Sequence, residues 1–232
     1  MPGTRPVRVR YVHSVDDAVA RYDALQIKLF SSCLVEGDTA LDIGAHYGVY
    51  SVLMAALCGQ TGRVVAFEPD PYAREVLEKN LNLNPWIKRP LIEACACSDS
   101  DGEGTLFSCG GNAQSSLVRS AVRSSPTRNA EELRVPLVTL DSYVLEHNLP
   151  EPRWVKIDAE GAEIRILKGA QKVLRGNAAI LCELHPYAWP EFGSTLAELK
   201  NLAAAAGRRI RYLDQDTEIG EQAEYGTVLL ER

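Results

Sequence analysis

The stretch Leu41-Asp42-Ile43-Gly44-Ala45-His46-Tyr47-Gly48 places an acid near the end of an apolar run and two glycines in the turn that follows. Glycine removes the Cβ where backbone must touch a ligand, and it permits turn angles that other residues resist. The spacing is G-x-x-x-G, not the G-x-G-x-x-G that cradles a pyrophosphate, and an acid beside the turn would repel a diphosphate. Such a turn favours a ligand carrying an ammonium and a sulfonium, such as S-adenosylmethionine. Phe67-Glu68-Pro69 supplies a second carboxylate, where a parallel sheet sets neighbouring strand ends side by side and one carboxylate can accept both hydroxyls of a ribose. Taken singly, Asp42 reads as a helix cap, Glu68 as a surface acid and the glycines as turn formers. Their placement on consecutive strand ends is what points to a ligand site.

Methyl transfer from a sulfonium to an alcohol needs the acceptor oxygen held in line with the leaving sulfur, and a base within hydrogen-bond reach of the hydroxyl proton. The acids and imidazole at later strand ends are Asp158, Glu160, Glu183 and His185. In Glu183-Leu184-His185 the alternation of a strand sends both polar side chains to one side. His185 is the favoured base, because its ordinary pKa is near ~6.5; its plainer role is to bond a backbone carbonyl at the strand end. Asp158 fits a cofactor or substrate contact better than a base. Asp158, Glu183 and His185 are also acceptable ligand types for a divalent ion such as Mg. Glu163 opens a helix, where free N–H groups favour a carboxylate and explain it without function. Lys156 lies inside a buried strand and requires a nearby carboxylate.

These residues need a parallel sheet to bring them together, and the chain has its pattern. Strands are predicted at Thr39 to Ile43, Arg63 to Glu68, Leu91 to Cys97, Trp154 to Asp158 and Ala179 to Leu184. Helices are predicted between them: one carries Val49, Val52, Leu53, Ala56 and Leu57 on one stripe, the next starts at Asp70-Pro71, a third runs from Ala162 to Leu174, and a fourth from Thr195 to Ala206. On the third, Glu163, Arg165, Lys168 and Lys172 are taken as the solvated side. Arg209 to Leu213 and Thr227 to Leu230 read as an antiparallel edge. Residues 16–30 fit an amphipathic helix in an N-terminal helical extension, 1–35, ahead of a main domain, 36–232. Within that domain 108–134 is an irregular segment, either lid or disordered. Its Arg119, Arg123, Arg128 and Arg134 give it a positive bias suited to a phosphate or carboxylate on an acceptor, or simply to solvent.

Composition removes other classes. The chain has 232 residues, 46% hydrophobic and 24% charged, with a formal net charge of -6. Those proportions suit one globular domain, and the negative balance argues against nucleic acid as a general partner. The longest apolar run is far short of the ~20 residues that span a membrane, and no apolar export segment follows Arg5, Arg8 and Arg10. The six cysteines show no C-x-x-C pair or zinc spacing, and are expected as reduced cytoplasmic thiols.

The segments ALDIGAHYGVYS (Ala40 to Ser51), VVAFEPDP (Val64 to Pro71), VPLVTLDSY (Val135 to Tyr143) and WVKIDAEGAEIRILKGA (Trp154 to Ala170) resemble those of the FkbM family of S-adenosylmethionine-dependent methyltransferases. The resemblance implies an α/β, Rossmann-like class I methyltransferase fold, with a mostly parallel seven-stranded sheet, an antiparallel last strand and helices on both faces. It implies O-methylation of a hydroxyl on a small natural-product or sugar-like acceptor. Carried onto this chain, Asp42, Gly44, Ala45, His46 and Gly48 would form the cofactor loop and Glu68 would hold the ribose. Ala96, Cys97 and Asp99 would border the adenine, and Asp158 would sit near the methionine end. His46 departs from the Asn common in the family, which would make the pocket pH-sensitive. The alternatives are an RNA methyltransferase on the same fold and a cofactor-binding protein without catalysis. The sequence leaves the oligomeric state open.

Overall fold

The computed structural model describes residues 7–12, 24–110, 115–119 and 130–232. Ten strands and seven α-helices are defined among them. In chain order they are α1 (Ala24–Cys33), β1 (Thr39–Ile43), α2 (Val49–Cys58), β2 (Arg63–Phe67), α3 (Pro71–Asn82), β3 (Leu91–Glu93), β4 (Ala96–Cys97), β5 (Gly102–Ser108), β6 (Glu131–Val138), α4 (Leu140–Glu146), β7 (Trp154–Ile157), α5 (Glu163–Lys168), α6 (Gln171–Arg175), β8 (Ala179–Leu184), α7 (Leu196–Ala205), β9 (Arg209–Tyr212) and β10 (Gly226–Glu231).

Seven strands form the main sheet in the order β3-β2-β1-β7-β8-β10-β9. β3, β2, β1, β7 and β8 pair in parallel, while β10 runs antiparallel to both β8 and β9. The last strand is therefore the reversed one, as predicted, but it lies inside the sheet and β9 forms the edge. Because β10 is reversed, its first residue, Gly226, pairs with Leu184 at the end of β8.

Side-chain alternation splits the core into two layers. Ala40, Val64, Trp154, Leu181 and Leu229 pack under Phe30 of α1 and Tyr50, Leu53 and Met54 of α2. Leu41, Ile43, Val65, Phe67, Val155, Ile157 and Ile180 face the other way, against Leu140, Ile166, Leu167, Leu174 and Leu199. Each such aliphatic side chain contributes about 1.5–3 kcal/mol on burial, and together they fix which way every strand-end side chain points. Topologically, the strand order reverses between β1 and β7, which opens a crevice at the carboxyl ends of the strands.

Four sequence expectations change. The strand expected over Leu91 to Cys97 divides: β3 joins the main sheet, whereas β4 pairs with β6 in a second, three-stranded sheet of order β4-β6-β5. The irregular segment is shorter than 108–134, because residues from Glu131 onward form β6, paired antiparallel with β5, and Ser116 bridges to Phe107. Residues 111–114 and 120–129 of that segment lie outside the described residues, as do 16–23 of the helix expected over 16–30 and Arg5, Arg123 and Arg128. The third helix breaks into α5 and α6 at Gly169, where an added Cβ would stand 2.1 Å from the carbonyl oxygen of Ser98. The α6 N-terminus is then capped from α4, with Asp141 accepting from the backbone N–H groups of Lys172 and Val173 at 2.8 and 3.2 Å. Glu163 is the fourth: it is fully buried rather than solvated.

Among the described residues, no helix is long and apolar enough to cross a membrane. The six cysteines are all unpaired.

Candidate active site

The crevice contains a cavity of about 230 Å³ lined by the ends of β1, β2, β7 and β8. The loop after β1 is pinned to the neighbouring strand, since the backbone N–H groups of Gly44 and Ala45 both donate to the carbonyl of Phe67 at 3.0 Å. Gly44 holds φ at +73°, and an added Cβ would stand 1.7 Å from the carbonyl oxygen of Asp158. Only glycine lets the ends of β1 and β7 close at this point. Gly44, Ala45 and His46 line the cavity. Gly48 does not: it has φ +74° and packs against Leu77, which an added Cβ would meet at 2.6 Å.

Glu68 lines the cavity while being 6% exposed. Its two carboxylate oxygens accept separate backbone N–H groups, from His46 at 2.6 Å and from Asp70 at 2.8 Å. Burial pushes its pKa up to about 7 against the opposing effect of those two bonds. The carboxylate is thus fixed in orientation at the edge of the glycine turn. His46 itself adopts φ +49°, in the left-handed region that non-glycine residues enter at a cost, and its ring stacks on Tyr47. Ala96 and Cys97 also line the cavity, with Leu106 and Ile166 as apolar neighbours.

Asp42 is a correction to the sequence expectation. Its neighbours Leu41 and Ile43 belong to the opposite core layer, so its carboxylate turns under α2, where it accepts the Ser51 hydroxyl at 2.5 Å and does not line the cavity. It is completely buried and sits in register with Lys156 on β7. Burial raises its pKa and Lys156 opposes that rise. Asp42 therefore supports the loop from beneath. Asp99 is a second correction, because it pairs with Arg165 at 3.1 Å outside the cavity.

Lys156 finds the carboxylate its burial requires: Nζ lies 3.2 Å from Asp158 Oδ2 and 4.8 Å from the centre of the Tyr50 ring. Burial acts against its charge, but Asp158 and Asp42 outweigh it and hold the amine protonated. Asp158 in turn is kept below its ordinary range, because Lys156 and His185 overcome the effect of burial.

Asp158, Glu160 and Glu183 all line the cavity. Glu160 adopts φ +45°, a strained conformation of the kind that clusters at functional sites, and accepts the Tyr187 hydroxyl at 2.9 Å. Burial drives its pKa up to about 7, with His185 opposing. Glu183 accepts the hydroxyl of Tyr225, and burial with the nearby Asp158 raises it as well.

His185 is the third correction. It is 2% exposed and stands behind the cavity wall. Nδ1 lies 2.9 Å from Glu163 Oε1, and Nε2 faces Glu160 at 3.7 Å and Asp158 and Glu183 at 4.0 Å each. Burial works against its charge, yet the bond to Glu163 and the surrounding acids push its pKa up to about 9. A ring that keeps its proton at neutral pH is not a base there.

Asp158, Glu183 and His185 do bring ligand atoms within 4.8 Å of one another. The donor set does not suit Mg, which takes oxygen ligands in octahedral geometry. Lys156 already occupies Asp158, and the bond to Glu163 with the surrounding acids raises the His185 pKa, which disfavours the free lone pair a metal needs. No metal is assigned to these residues.

Several lining residues carried no usable sequence signal. Ser115, Ser116 and Leu117 reach the cavity from the irregular segment, held by Ser115 donating to Asp70 at 2.7 Å and Ser116 donating to the Glu160 carbonyl at 2.9 Å. Tyr225 arrives from the turn before β10. Of the expected arginines, Arg119 lies over the Phe107 ring and pairs with Glu132, while Arg134 stands 3.8 Å from Glu103. Neither lines the cavity.

A doubly wound sheet of this strand order, with a glycine turn and an acid at the first two strand ends, defines a Rossmann-like class I methyltransferase. The chain belongs to the FkbM family: residues 42–210 match the Methyltransferase FkbM domain. It is 26% identical over 199 residues to the hexuronic acid methyltransferase AglP of Haloferax volcanii, covering 84% of this chain and 75% of that one. It is 30% identical over 158 residues to the methyltransferase sdnD of Sordaria araneosa, covering 57% of this chain and 60% of that one. A solved FkbM methyltransferase from Methylobacillus flagellatus KT superposes with a TM-score of 0.52 at 16% identity, over 84% of this chain and 43% of that longer chain. The chain is thus an enzyme of the methyltransferase class.

Proposed function

We propose that this enzyme transfers the methyl group of S-adenosylmethionine to a hydroxyl of a small, sugar-like or natural-product acceptor, with Glu160 as the base. The observation that carries the donor assignment is Glu68: a buried carboxylate opening on the cavity, both oxygens steadied by backbone N–H groups, beside a turn that glycine alone can make. A pair of vicinal hydroxyls fits its remaining lone pairs. The apolar lining at Ala96, Cys97, Leu106 and Ile166 suits a flat ring, and the acids at Asp158, Glu160 and Glu183 suit a ligand with positive charge. Bound there, S-adenosylmethionine supplies a methyl group on a cationic sulfur as the electrophile.

The residues of the chain do the rest. Asp158, neutralised on one side by Lys156, stays ionised and attracts positive charge. Glu160, with a pKa near 7, is matched to proton transfer at neutral pH, and Tyr187 fixes one of its oxygens. Ser115, Ser116 and Leu117 wall one side of the cavity. The relative named for hexuronic acid supports a sugar-like acceptor. Six unpaired thiols support a reducing, cytoplasmic setting, and the net charge of -6 favours a small molecule over nucleic acid.

Calorimetric titration of S-adenosylhomocysteine tests the donor site. Wild type binds, and Glu68→Ala weakens binding by more than about 100-fold, because two bonds to a charged acceptor are worth about 1.5–3 kcal/mol each. A wild-type protein that does not bind rejects the assignment. A screen of hydroxylated acceptors tests the base, with Glu160→Gln slowing transfer at least about 100-fold while homocysteine-analogue binding persists. Transfer unchanged in that variant removes Glu160 from the role.

A further inference from the structure

Glu163 has no part in the chemistry described so far, and its position at the start of α5 accounts for a carboxylate but not for its surroundings. It is fully buried. Oε1 accepts the Gly161 N–H at 2.7 Å and lies 2.9 Å from His185 Nδ1, while Oε2 accepts the Trp189 indole N–H at 2.8 Å. A carboxylate sealed from water and held by three groups fixes whatever it touches.

What it touches is the imidazole of His185, behind the cavity wall. With Nδ1 meeting the Glu163 carboxylate, that nitrogen must carry a proton. Nε2 then faces Glu160, Asp158 and Glu183, three carboxylates on two different elements. A bare lone pair there would meet only negative charge, whereas a second proton converts repulsion to attraction. The rings of Tyr187 and Tyr225 stand edge-on to the imidazole at 5.8 and 5.5 Å, and so confine it from two further sides.

We propose that Glu163 is a positioning residue: it holds His185 as a fixed, doubly protonated ring whose charge gathers Glu160, Asp158 and Glu183 at the cavity wall and sets the basicity of Glu160. The inference rests on Glu160 being the base, but it makes a claim about His185 that stands whether or not an acceptor is known. Glu163 acts through His185 and does not touch the reacting atoms. The upward displacement of the His185 pKa to about 9 agrees with the geometry, as does its restraining effect on Glu160. The charged groups around the ring are Glu163 on α5, Asp158 and Glu160 on the loop before it, and Glu183 on β8, with Lys156 paired to Asp158.

The experiment is nitrogen-15 NMR of the histidine rings in wild type and in Glu163→Gln, with S-adenosylhomocysteine titrated into both. Wild-type His185 keeps both nitrogens protonated through neutral pH and releases a proton near pH 9. In Glu163→Gln it releases that proton at least one pH unit lower, a tenfold change, while the homocysteine analogue binds within about threefold of wild type because Glu68 is untouched. In His185→Asn, carbon-13 observation of Glu160 shows its titration moving up by a pH unit or more. A wild-type His185 that is neutral at pH 7 overturns the proposal, and so does a Glu160 titration unmoved in His185→Asn. The wild-type spectrum decides even if Glu163→Gln does not fold. Failure of wild type to bind the homocysteine analogue would count against the donor site, not against this pairing.

Discussion

The donor site makes a quantitative prediction about pH. Glu68 can receive two hydroxyls only as a carboxylate, and burial holds its pKa at about 7 in the free protein. Binding therefore draws on the ionised fraction. At pH 5, two units below that value, the fraction is about one in a hundred, a penalty of about 2.7 kcal/mol at 1.36 kcal/mol per unit. At pH 8 the penalty is negligible. Calorimetric affinity for S-adenosylhomocysteine should rise about tenfold per unit up to pH 7 and then level, nearly a hundredfold in all. Near pH 6 the binding should release close to one proton, read from the dependence of the apparent enthalpy on buffer ionisation. Glu68→Gln should be weaker throughout and flat. Glu160 titrates in the same range, so Glu160→Gln is the control and should keep the slope. A wild-type affinity that does not change between pH 5 and 8 would refute the claim that Glu68 holds the ligand as an ionised group.

Other outcomes follow from packing and charge. Gly44→Ala adds a left-handed penalty of about 1–2 kcal/mol and drives a methyl to 1.7 Å from the Asp158 carbonyl. A loss above about 3 kcal/mol in urea denaturation is expected, and a midpoint near wild type would show that the strand ends are not closed there. Lys156→Met leaves Asp42 and Asp158 without their shared cation, a loss of about 3–5 kcal/mol at neutral pH. The deficit should shrink toward acid, where the carboxylates take up protons, and a pH-independent deficit would rule out the electrostatic cause. His185, raised from 6.5 to about 9 by folding, adds stability that is complete below pH 6.5 and lost as pH climbs through 9. Urea midpoints of wild type should fall across that window, and those of His185→Gln should not.

The central strands were legible because a parallel sheet covered on both faces demands continuous apolar runs, and β1, β2, β7 and β8 have them. The second sheet was not: β6 carries Pro136 and three charged residues among eight, and its pairing with β4 and β5 depends on contacts far along the chain. The break between α5 and α6 depends on the Ser98 carbonyl against Gly169 and on a cap from Asp141, neither of which leaves a local trace. At the site, the G-x-x-x-G turn and Glu68 stood out by type and spacing. The misassignment of Asp42 came from knowing which strand end it occupies but not which face, although Leu41 and Ile43 as its neighbours fix that face once the core layers are known. Glu163 left a trace that went unused. With Ile166, Leu167 and Ala170 it completes the i, i+3, i+4, i+7 stripe, so it lies on the apolar side of its helix, where a carboxylate needs a partner.

The reversal of β10 has a practical consequence. The strands β1, β2, β7 and β8 bring their carboxyl ends to the crevice, and the reversed β10 brings its beginning there instead, so the 213–225 connection delivers Tyr225 beside Glu183 without any helix intervening. The cavity wall thus draws on distant stretches of chain, with the glycine turn and Glu68 coming from the first two strand ends and Tyr225 from the carboxyl-terminal hairpin. Under the proposed function, exchanging that hairpin should change which acceptors are methylated while S-adenosylhomocysteine affinity stays as in wild type.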